Sequence, residues 1–272
     1  MSLATGPVWM FCPADRPDRY AKAAAAADVV ILDLEDAVAP GAKAAARQAL
    51  INTPLDPART VVRVNGAATA DHQLDLDTVR QTQYRALMLA KSETAAQVTA
   101  LAPWAVVALI ESPLGALNVN DIAQAHNAVG LMWGAEDLIA GLGGRSSRHP
   151  DGSYRDIARQ VRSSVLLAAK VYGRFALDSV YLNIADLDGL RDESSDATAT
   201  GFDGKVALHP TQVPVIRQAY APSAGELAWA QAVLAAADGQ PGVFAFEGKM
   251  VDAPVLRHAE RIVSAAANVR AR

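Results

Sequence analysis

The stretch that decides the fold is VGLMWGAEDL, residues 129–138, in which an apolar run ends in the adjacent acids Glu136 and Asp137. An ionised carboxylate is costly to bury unless it is paired or bound to a metal. Such a run fits a buried parallel strand whose end faces a charged partner. Its apolar part, VGLMW (129–133), is one of eight short runs of four to eight residues that are rich in Val, Ile and Leu. The others are VWMFC (8–12), VVILDL (29–34), TVVRV (60–64), ALMLA (86–90), WAVVALI (104–110), ALDSVYL (176–182) and KVAL (205–208).

Segments of helical character separate these runs. They include the alanine-rich RYAKAAAAA and the segment SYRDIARQVRSSVLLAAKVYG, in which Ile157, Val161 and Val165 recur at helical spacing. Eight strand–helix units with short connections predict a (β/α)₈ TIM barrel, and a doubly wound open sheet is the competing fold. We expect the barrel to occupy residues 1–219. Residues 220–272 then form a C-terminal extension with a capped helix, a short irregular or hairpin segment and a final helix.

Composition excludes several functional classes. The net charge of −4 gives no basic excess for nucleic acid, and no apolar stretch reaches the length of a membrane span. The single cysteine, Cys12, rules out an intrachain disulfide and fits a reducing compartment. The first ten residues lack the regions of a secretory signal, so we expect a cytoplasmic protein with neither nucleic-acid nor membrane partners.

Charged residues follow almost every predicted strand. Active sites of such barrels lie at the carboxyl ends of the strands, so these side chains should converge. They are Arg16; Asp33, Glu35 and Asp36; Arg63 and Asn65; Lys91; Glu111; Glu136 and Asp137; and His209. Taken singly, Glu111 also fits a position beside a helix cap, Arg63 a structural ion pair with the acids of DLED (33–36), and His209 a hydrogen-bonded core histidine. Their convergence favours an active site.

Glu111 and Asp137 follow neighbouring strands and present hard oxygen ligands. Two carboxylates with open positions suit Mg²⁺, which retains water and accepts substrate oxygens. No Cys or His pair has the spacing of a zinc site, and GLGG (141–144) lacks the spacing of a nucleotide-binding loop. Residues adjacent on a strand point to opposite faces, so one metal should not take both Glu136 and Asp137.

Seven motifs in order resemble the citrate lyase β-subunit-like branch of the HpcH/HpaI aldolase superfamily. They are FCPADRPDRYAKA (11–23), VILDLEDAV (30–38), VRVN (62–65), LIESPLGAL (109–117), MWGAEDL (132–138), LHPTQ (208–212) and FEGKMVDAP (246–254). The resemblance covers nearly the whole chain. It implies a TIM barrel that assembles as a homotrimer, uses Mg²⁺ and acts on a coenzyme A thioester.

The resemblance also implies roles for individual residues. Glu111 and Asp137 match the metal ligands, and Arg63 matches the cation over the thioester oxygen. Asp252 matches a lid aspartate that reaches a neighbouring subunit and can deliver a proton, although Asp-Ala-Pro is also a plain helix cap. The positions that match contacts to the cofactor or thioester are Phe11, Arg16, Lys22 and His209. A surface charge at Arg16 and a solvated helix face at Lys22 remain alternatives.

Asp33, Glu35 and Asp36 are predicted to lie behind the metal as acceptors that orient its neighbours, or to pair with Arg63 or Lys91. We rank Glu35 and Asp36 above Asp33 because they lie nearer the end of the strand. The polar, glycine-rich loop at 143–154 is expected to be mobile.

These assignments predict a carbon–carbon lyase that cleaves a short 3-hydroxyacyl-CoA to acetyl-CoA and a keto acid. Candidate substrates are citramalyl-CoA, malyl-CoA, citryl-CoA and 3-hydroxy-3-methylglutaryl-CoA. The alternatives are a malate synthase-like condensation with thioester hydrolysis, and a β subunit that acts only inside a multi-subunit citrate lyase.

Overall fold

The computed structural model describes residues 6–240 and 242–270, together with the side chains of those residues except 268–270. The expectation of a cytoplasmic protein rests partly on the first ten residues, and five of these lie outside the described residues. Within this part of the chain, no helix has both the length and the apolar character needed to cross a membrane.

Parallel strands β1–β8 close into a barrel in sequence order, so the predicted TIM barrel is confirmed. Each strand pairs with its sequence neighbours, and β8 pairs with β1. The strands are β1 (Val8–Pro13), β2 (Val29–Asp33), β3 (Thr60–Val64), β4 (Ala86–Leu89), β5 (Ala105–Ile110), β6 (Ala128–Trp133), β7 (Phe175–Asp178) and β8 (Gly204–Ala207).

Helices separate the strands as predicted. They are α1 (Tyr20–Ala26), α2 (Lys43–Asn52), α3 (Ala70–Val79), α4 (Ala95–Thr99), α5 (Pro113–Leu117), α6 (Val119–Gln124), α7 (Ala135–Gly141), α8 (Asp156–Val171), α9 (Leu187–Thr200) and α10 (Val213–Tyr220). Single 3₁₀ turns at Pro17–Arg19, Pro40–Ala42, Pro57–Arg59 and Pro210–Gln212 begin with proline, whose fixed φ suits the first helical position.

The barrel interior is apolar, and it is lined by alternate residues of the strands. Val29 and Ile31 of β2, Val61 of β3, and Val107 and Leu109 of β5 belong to this core. Side chains two positions apart on a strand share a face. Asp33, Arg63 and Glu111 are therefore the next inward positions after these core residues, at the carboxyl end of the barrel.

The chain divides into two compact units, the first ending at Ile216 and the second beginning at Arg217. The second contains α11 (Ala224–Ala236), a two-stranded hairpin of β9 (Phe244–Phe246) and β10 (Lys249–Val251), and α12 (Ala253–Arg270). It has its own core, centred on Ala230, Val233, Val251 and Ala259. Glu247 and Gly248 both have positive φ in the tight turn of the hairpin.

Candidate active site

Arg63 is the most tightly held charge at the carboxyl end of the barrel. Its Nε and Nη2 donate to the two carboxylate oxygens of Asp33 at 2.7 and 2.6 Å, and Nη1 lies 3.0 Å from Glu35. The guanidinium also stacks over the Phe11 ring, 4.6 Å from its centroid. Burial lowers the pKa of Arg63, but the charges of Asp33 and Glu35 outweigh that effect and leave the pKa raised. Arg63 is therefore a fixed, buried cation.

The order predicted for the three acids after β2 needs correction. Asp33 is fully buried and also accepts the backbone N–H of Glu35 at 2.8 Å, so it fixes both Arg63 and the turn that follows. The side chain of Asp36 is 60% exposed, and its one ion pair with the described residues is to Lys91, at 3.4 Å. The sequence ranks Glu35 and Asp36 above Asp33, but Asp33 and Glu35 are the acids that pair with Arg63, because the inward alternation of β2 continues to Asp33.

Glu35 bridges the two cations of the site. It contacts Arg63 and accepts a short hydrogen bond from the Lys91 ammonium. Burial raises the pKa of Glu35, and the charges of Arg63 and Lys91 only partly offset this. Behind it, Lys43 donates to the carbonyls of Leu34 and Glu35 and to Asn65. Lys43 thus fixes the backbone that carries Glu35.

Glu111 is buried immediately after β5. Its Oε1 accepts the backbone N–H of Lys91 at 3.0 Å. Burial raises its pKa to about 8, with Asp137 and Glu35 adding to the rise and Arg63 opposing it. Glu111 is therefore a carboxylate with too little positive charge around it.

Asp137 lies in the first turn of α7 and is partly exposed. Its Oδ1 is 3.5 Å from the Lys91 ammonium. Contrary to the prediction, Glu136 and Asp137 do not lie on opposite faces of a strand, because β6 ends at Trp133 and both acids are helical. They nevertheless have different partners, since Glu136 accepts a hydrogen bond from the Ser147 hydroxyl at 2.6 Å.

The charges of the site do not balance. When all are ionised, five carboxylates (Asp33, Glu35, Asp36, Glu111 and Asp137) face two cations (Arg63 and Lys91). Among the described residues, no group of three or more Asp, Glu, His or Cys side chains is arranged to hold a metal by itself. A divalent ion at Glu111 and Asp137 would relieve the excess negative charge, with water and substrate completing its ligands. The residues present fit Mg²⁺ on these terms.

The residues predicted to contact a thioester lie in three settings. Phe11 lies beneath Arg63. Arg16 forms a two-contact pair with Asp18 on the surface, and Lys22 is exposed on α1 with no partner among the described residues. His209 is exposed after β8, and its Nδ1 accepts the backbone N–H of Thr211. Arg16 and Lys22 both follow β1 in the sequence, whereas His209 follows β8, the neighbour of β1.

Asp252 belongs to the second unit, where it directly precedes α12. Its carboxylate accepts the backbone N–H of Val255 at 3.3 Å, and its carbonyl accepts that of Leu256. These contacts cap the first turn of α12, which was the alternative to a role in proton delivery.

A buried ionic network that sequence reasoning missed lies beside β7 and β8. Asp178 and Lys205 are both fully buried and 3.0 Å apart, and Lys205 also contacts Glu193 at 2.8 Å. Arg162 pairs with Asp178, and the Trp133 indole donates to it at 2.7 Å. The available signal was a charged residue in each of two apolar strands, ALD and KVA.

The network also holds the loop at 143–154, which was expected to be mobile. Arg148 pairs with Glu193 at 2.7 Å and stacks on Tyr154. Ser147 and Tyr154 are buried, and the backbone N–H of Arg155 donates to the Ser147 carbonyl. The loop is thus held against the barrel at Ser147, Arg148 and Tyr154.

Asp178→Asn should lower the free energy of unfolding by about 3 kcal/mol, because it leaves Lys205 and Arg162 short of a buried counter-charge. Burial raises the pKa of Asp178, but Lys205 and Arg162 outweigh burial and leave the pKa lowered. Its stabilisation is therefore present above the ordinary carboxyl pKa and is lost as pH falls through the lowered value. Urea unfolding of both proteins between pH 7 and pH 3 should show the difference shrinking with acidification.

Lys170→Met is the control for this prediction. Lys170 pairs with Asp203, but both side chains are more than 40% exposed. Its loss should cost less than about 1 kcal/mol. Equal costs for the two variants would contradict the structural weight given to the buried network.

Comparison with known proteins places this site in a family. The model of the HpcH/HpaI aldolase/citrate lyase family matches residues 8–210. A citrate lyase subunit beta-like protein of Mycobacterium tuberculosis is 60% identical over 260 residues, which cover 96% of this chain and 95% of the relative. The human mitochondrial citramalyl-CoA lyase is 29% identical over 276 residues, which cover 89% and 80%.

A solved structure extends the likeness to three dimensions. The crystal structure of the protein CitE from Mycobacterium tuberculosis, in complex with magnesium, acetoacetate and coenzyme A, matches with a TM-score of 0.95 and 60% identity, over 97% of this chain and 99% of that one. With the closed barrel and the ring of charges at its carboxyl end, these matches lead to one conclusion. The chain belongs to the HpcH/HpaI aldolase/citrate lyase family, in its citrate lyase β-subunit-like branch, and is a lyase.

Proposed function

We propose that the protein is a Mg²⁺-dependent lyase that cleaves the carbon–carbon bond of a short 3-hydroxyacyl-CoA and releases acetyl-CoA and a keto acid. The observation that carries this proposal is the pair Glu111 and Asp137 beside the buried Arg63, with negative charge in excess of positive. The magnesium, acetoacetate and coenzyme A in the related CitE structure support the same substrate class.

Glu111 and Asp137 would hold the metal. When bound, Mg²⁺ supplies Lewis acidity and a template for the oxygens of the keto product. Gly134 supports this arrangement, because a Cβ there would lie 2.8 Å from Oε2 of Glu111. Glycine therefore leaves the room that the carboxylate occupies.

Arg63 would stabilise the charge that develops on the thioester oxygen. As the carbon–carbon bond breaks, the 3-hydroxyl gives up its proton to water and becomes the carbonyl of the keto acid. The electrons of the broken bond pass to the carbon next to the thioester carbonyl and are delocalised onto the thioester oxygen, and a guanidinium held by Asp33 and Glu35 needs no reorganisation to meet them. Glu35 and Asp36 are inferred to set the position and charge of Arg63 and Lys91. The keto acid leaves, and the enolate then needs a proton at carbon.

We infer that Asp252 of a neighbouring subunit delivers this proton, directly or through water. The inference rests on the match of GKMVDAP to the lid of the family, and the carboxylate can also cap α12. Phe11, Arg16, Lys22 and His209 are inferred to contact the coenzyme A thioester, the two cations through phosphate. The homotrimer and the cytoplasmic location stay predictions.

Incubation with citramalyl-CoA, malyl-CoA, citryl-CoA and 3-hydroxy-3-methylglutaryl-CoA tests the proposal. Keto acid should form from at least one of them with Mg²⁺ and not with EDTA, by protein that elutes as a homo-oligomer. Turnover that requires added citrate lyase subunits would favour the assembly-only alternative. No turnover on any thioester, with or without metal, would reject the proposal.

Gly134→Ala should weaken Mg²⁺ binding by about tenfold, because the new methyl group displaces the Glu111 carboxylate, and ligand geometry controls metal affinity. Gly134 has φ −122, which alanine adopts without strain, so the fold should be retained. Isothermal titration with Mg²⁺, with circular dichroism as the check on folding, measures this. Gly225→Ala is the control, because nothing lies within 4 Å of a Cβ there; unchanged affinity in Gly134→Ala would contradict the placement of the metal at Glu111.

A further inference from the structure

Lys91 has an unusual backbone at the carboxyl end of β4. Its φ is +50°, in the left-handed region that residues other than glycine rarely adopt. That conformation costs free energy and persists where the surrounding structure holds it. Here its backbone N–H donates to Oε1 of Glu111 at 3.0 Å, and the next N–H, of Ser92, donates to the Leu109 carbonyl. The strained turn therefore fixes the carboxylate of one proposed metal ligand.

The side chain of the same residue reaches the other proposed ligand. The Lys91 ammonium hydrogen-bonds to Glu35, lies 3.4 Å from Asp36 and lies 3.5 Å from Oδ1 of Asp137. Burial lowers the pKa of Lys91, but the hydrogen bond to Glu35 and the charges of Glu111, Glu35 and Asp137 outweigh it and raise the pKa. The group is a cation set among acids.

The cations next to Lys91 have other partners than Asp137. Arg63 is committed to Asp33 and Glu35, and Lys43 is committed to backbone carbonyls and Asn65. In residues 6–240 and 242–270, Lys91 is the cation recorded in an ion pair with Asp137. The Lys91 ammonium lies farther from Asp137, at 3.5 Å, than from Glu35. The contact with Asp137 is therefore the one that can break while the contact with Glu35 remains.

We propose that Lys91 is the internal counter-cation of the metal site: its ammonium neutralises Asp137 in the metal-free protein and is displaced from Asp137, while retaining Glu35, when the divalent ion binds. The proposal rests on the metal site inferred above. It assigns Lys91 a positioning role, in which its backbone N–H orients Glu111 and its ammonium sets the charge that the metal meets.

Removing the ammonium then has two opposite effects. The metal-free site carries one more unbalanced negative charge, so the metal-free protein becomes less stable. The metal meets a more negative site and displaces nothing, so its affinity rises. If Lys91 only held Asp137 in place, its removal would lower the affinity for the metal, because a less ordered Asp137 binds the metal more weakly.

The test compares the wild type with Lys91→Met and Lys91→Gly after removal of metal with EDTA. Glycine keeps the left-handed turn without strain and retains the backbone N–H, so it decides the matter if Lys91→Met fails to fold. Lys170→Met removes the same charge from an exposed pair and is the control. Isothermal titration with Mg²⁺ and with Mn²⁺ gives the Kd, and thermal melts without and with metal give the stability.

Both Lys91 variants should bind Mg²⁺ about tenfold more tightly than the wild type, since loss of one nearby charge is worth of the order of one decade at a partly solvated site. The Tm of Lys91→Met should fall without metal, and the Tm of both variants should rise more than that of the wild type when metal is added. Lys170→Met should match the wild type in Kd.

Failure of this inference is distinguishable from failure of the metal site. Wild-type protein that binds Mg²⁺ while the Lys91 variants bind it equally or more weakly overturns the role of Lys91 alone. Wild-type protein that binds neither Mg²⁺ nor Mn²⁺ overturns both.

Discussion

Asp137→Asn should abolish measurable Mg²⁺ binding and lower kcat for thioester cleavage by about a thousandfold. Loss of a residue that only supports a metal ligand typically costs about tenfold to hundredfold, so the larger effect is expected of a ligand itself. The substitution removes one of two charged ligands from a site in which the described residues offer no third. It also leaves the Lys91 ammonium without that partner. Titration with Mg²⁺ measures the first effect, and steady-state kinetics of both proteins at the same high Mg²⁺ concentration measure the second.

Glu136→Gln is the matched control, because Glu136 is the adjacent acid on the same turn of α7. Its carboxylate accepts the Ser147 hydroxyl, and a glutamine side chain can accept the same hydrogen bond. Mg²⁺ affinity should stay within about threefold of the wild type, as for other near-neutral surface changes. Loss of metal in Glu136→Gln with retention in Asp137→Asn would mean that the ligand was assigned to the wrong carboxylate.

Arg63→Lys should lower kcat by about a thousandfold while leaving Mg²⁺ affinity within about threefold, because donors aimed at developing charge act on the transition state. Lysine keeps the charge but loses the planar fork that meets both oxygens of Asp33 and contacts Glu35 with the third nitrogen. A point charge in its place is free to settle on the acids, away from the substrate. Kinetics with the best thioester, together with metal titration, separate the two quantities.

Arg162→Lys is the control for Arg63→Lys. Arg162 is also largely buried and also pairs with two carboxylates, those of Asp178 and Asp196, but it belongs to the network beside β7. It should lower the free energy of unfolding and leave kcat of the folded enzyme within about threefold. A kcat in Arg63→Lys that equals that of Arg162→Lys would contradict the role of Arg63 in the reaction.

The barrel was predictable because its strands are buried on both faces. Such strands need continuous Val, Ile and Leu, and the alternation with helices leaves few ways to close the sheet. The strand TVVRV matched its prediction at both ends. The run at 176–182 did not, since β7 covers Phe175–Asp178. The apolar residues after Asp178 do not indicate that pairing with β8 stops at this residue.

The sequence predicts those residues of the candidate site that lie at strand ends or follow the alternation of inward and outward side chains along a strand. Arg63 and Glu111 continue the inward face of their strands, so a sequence pattern indicates them. The left-handed turn at Lys91 depends on what its N–H can meet across the barrel, which no local pattern encodes. The pairing of Asp178 with Lys205 likewise depends on the register of β7 and β8.

Cleavage of a carbon–carbon bond is tested most directly by the ratio of the products formed from one thioester. With Mg²⁺ and the best substrate of the panel, acetyl-CoA and keto acid should appear in equal amounts from the first time point, with no free coenzyme A. Chromatography with quantification of all three products gives the ratio. Free coenzyme A that accumulates in place of acetyl-CoA, with no keto acid formed, would contradict the account and identify thioester hydrolysis as the reaction.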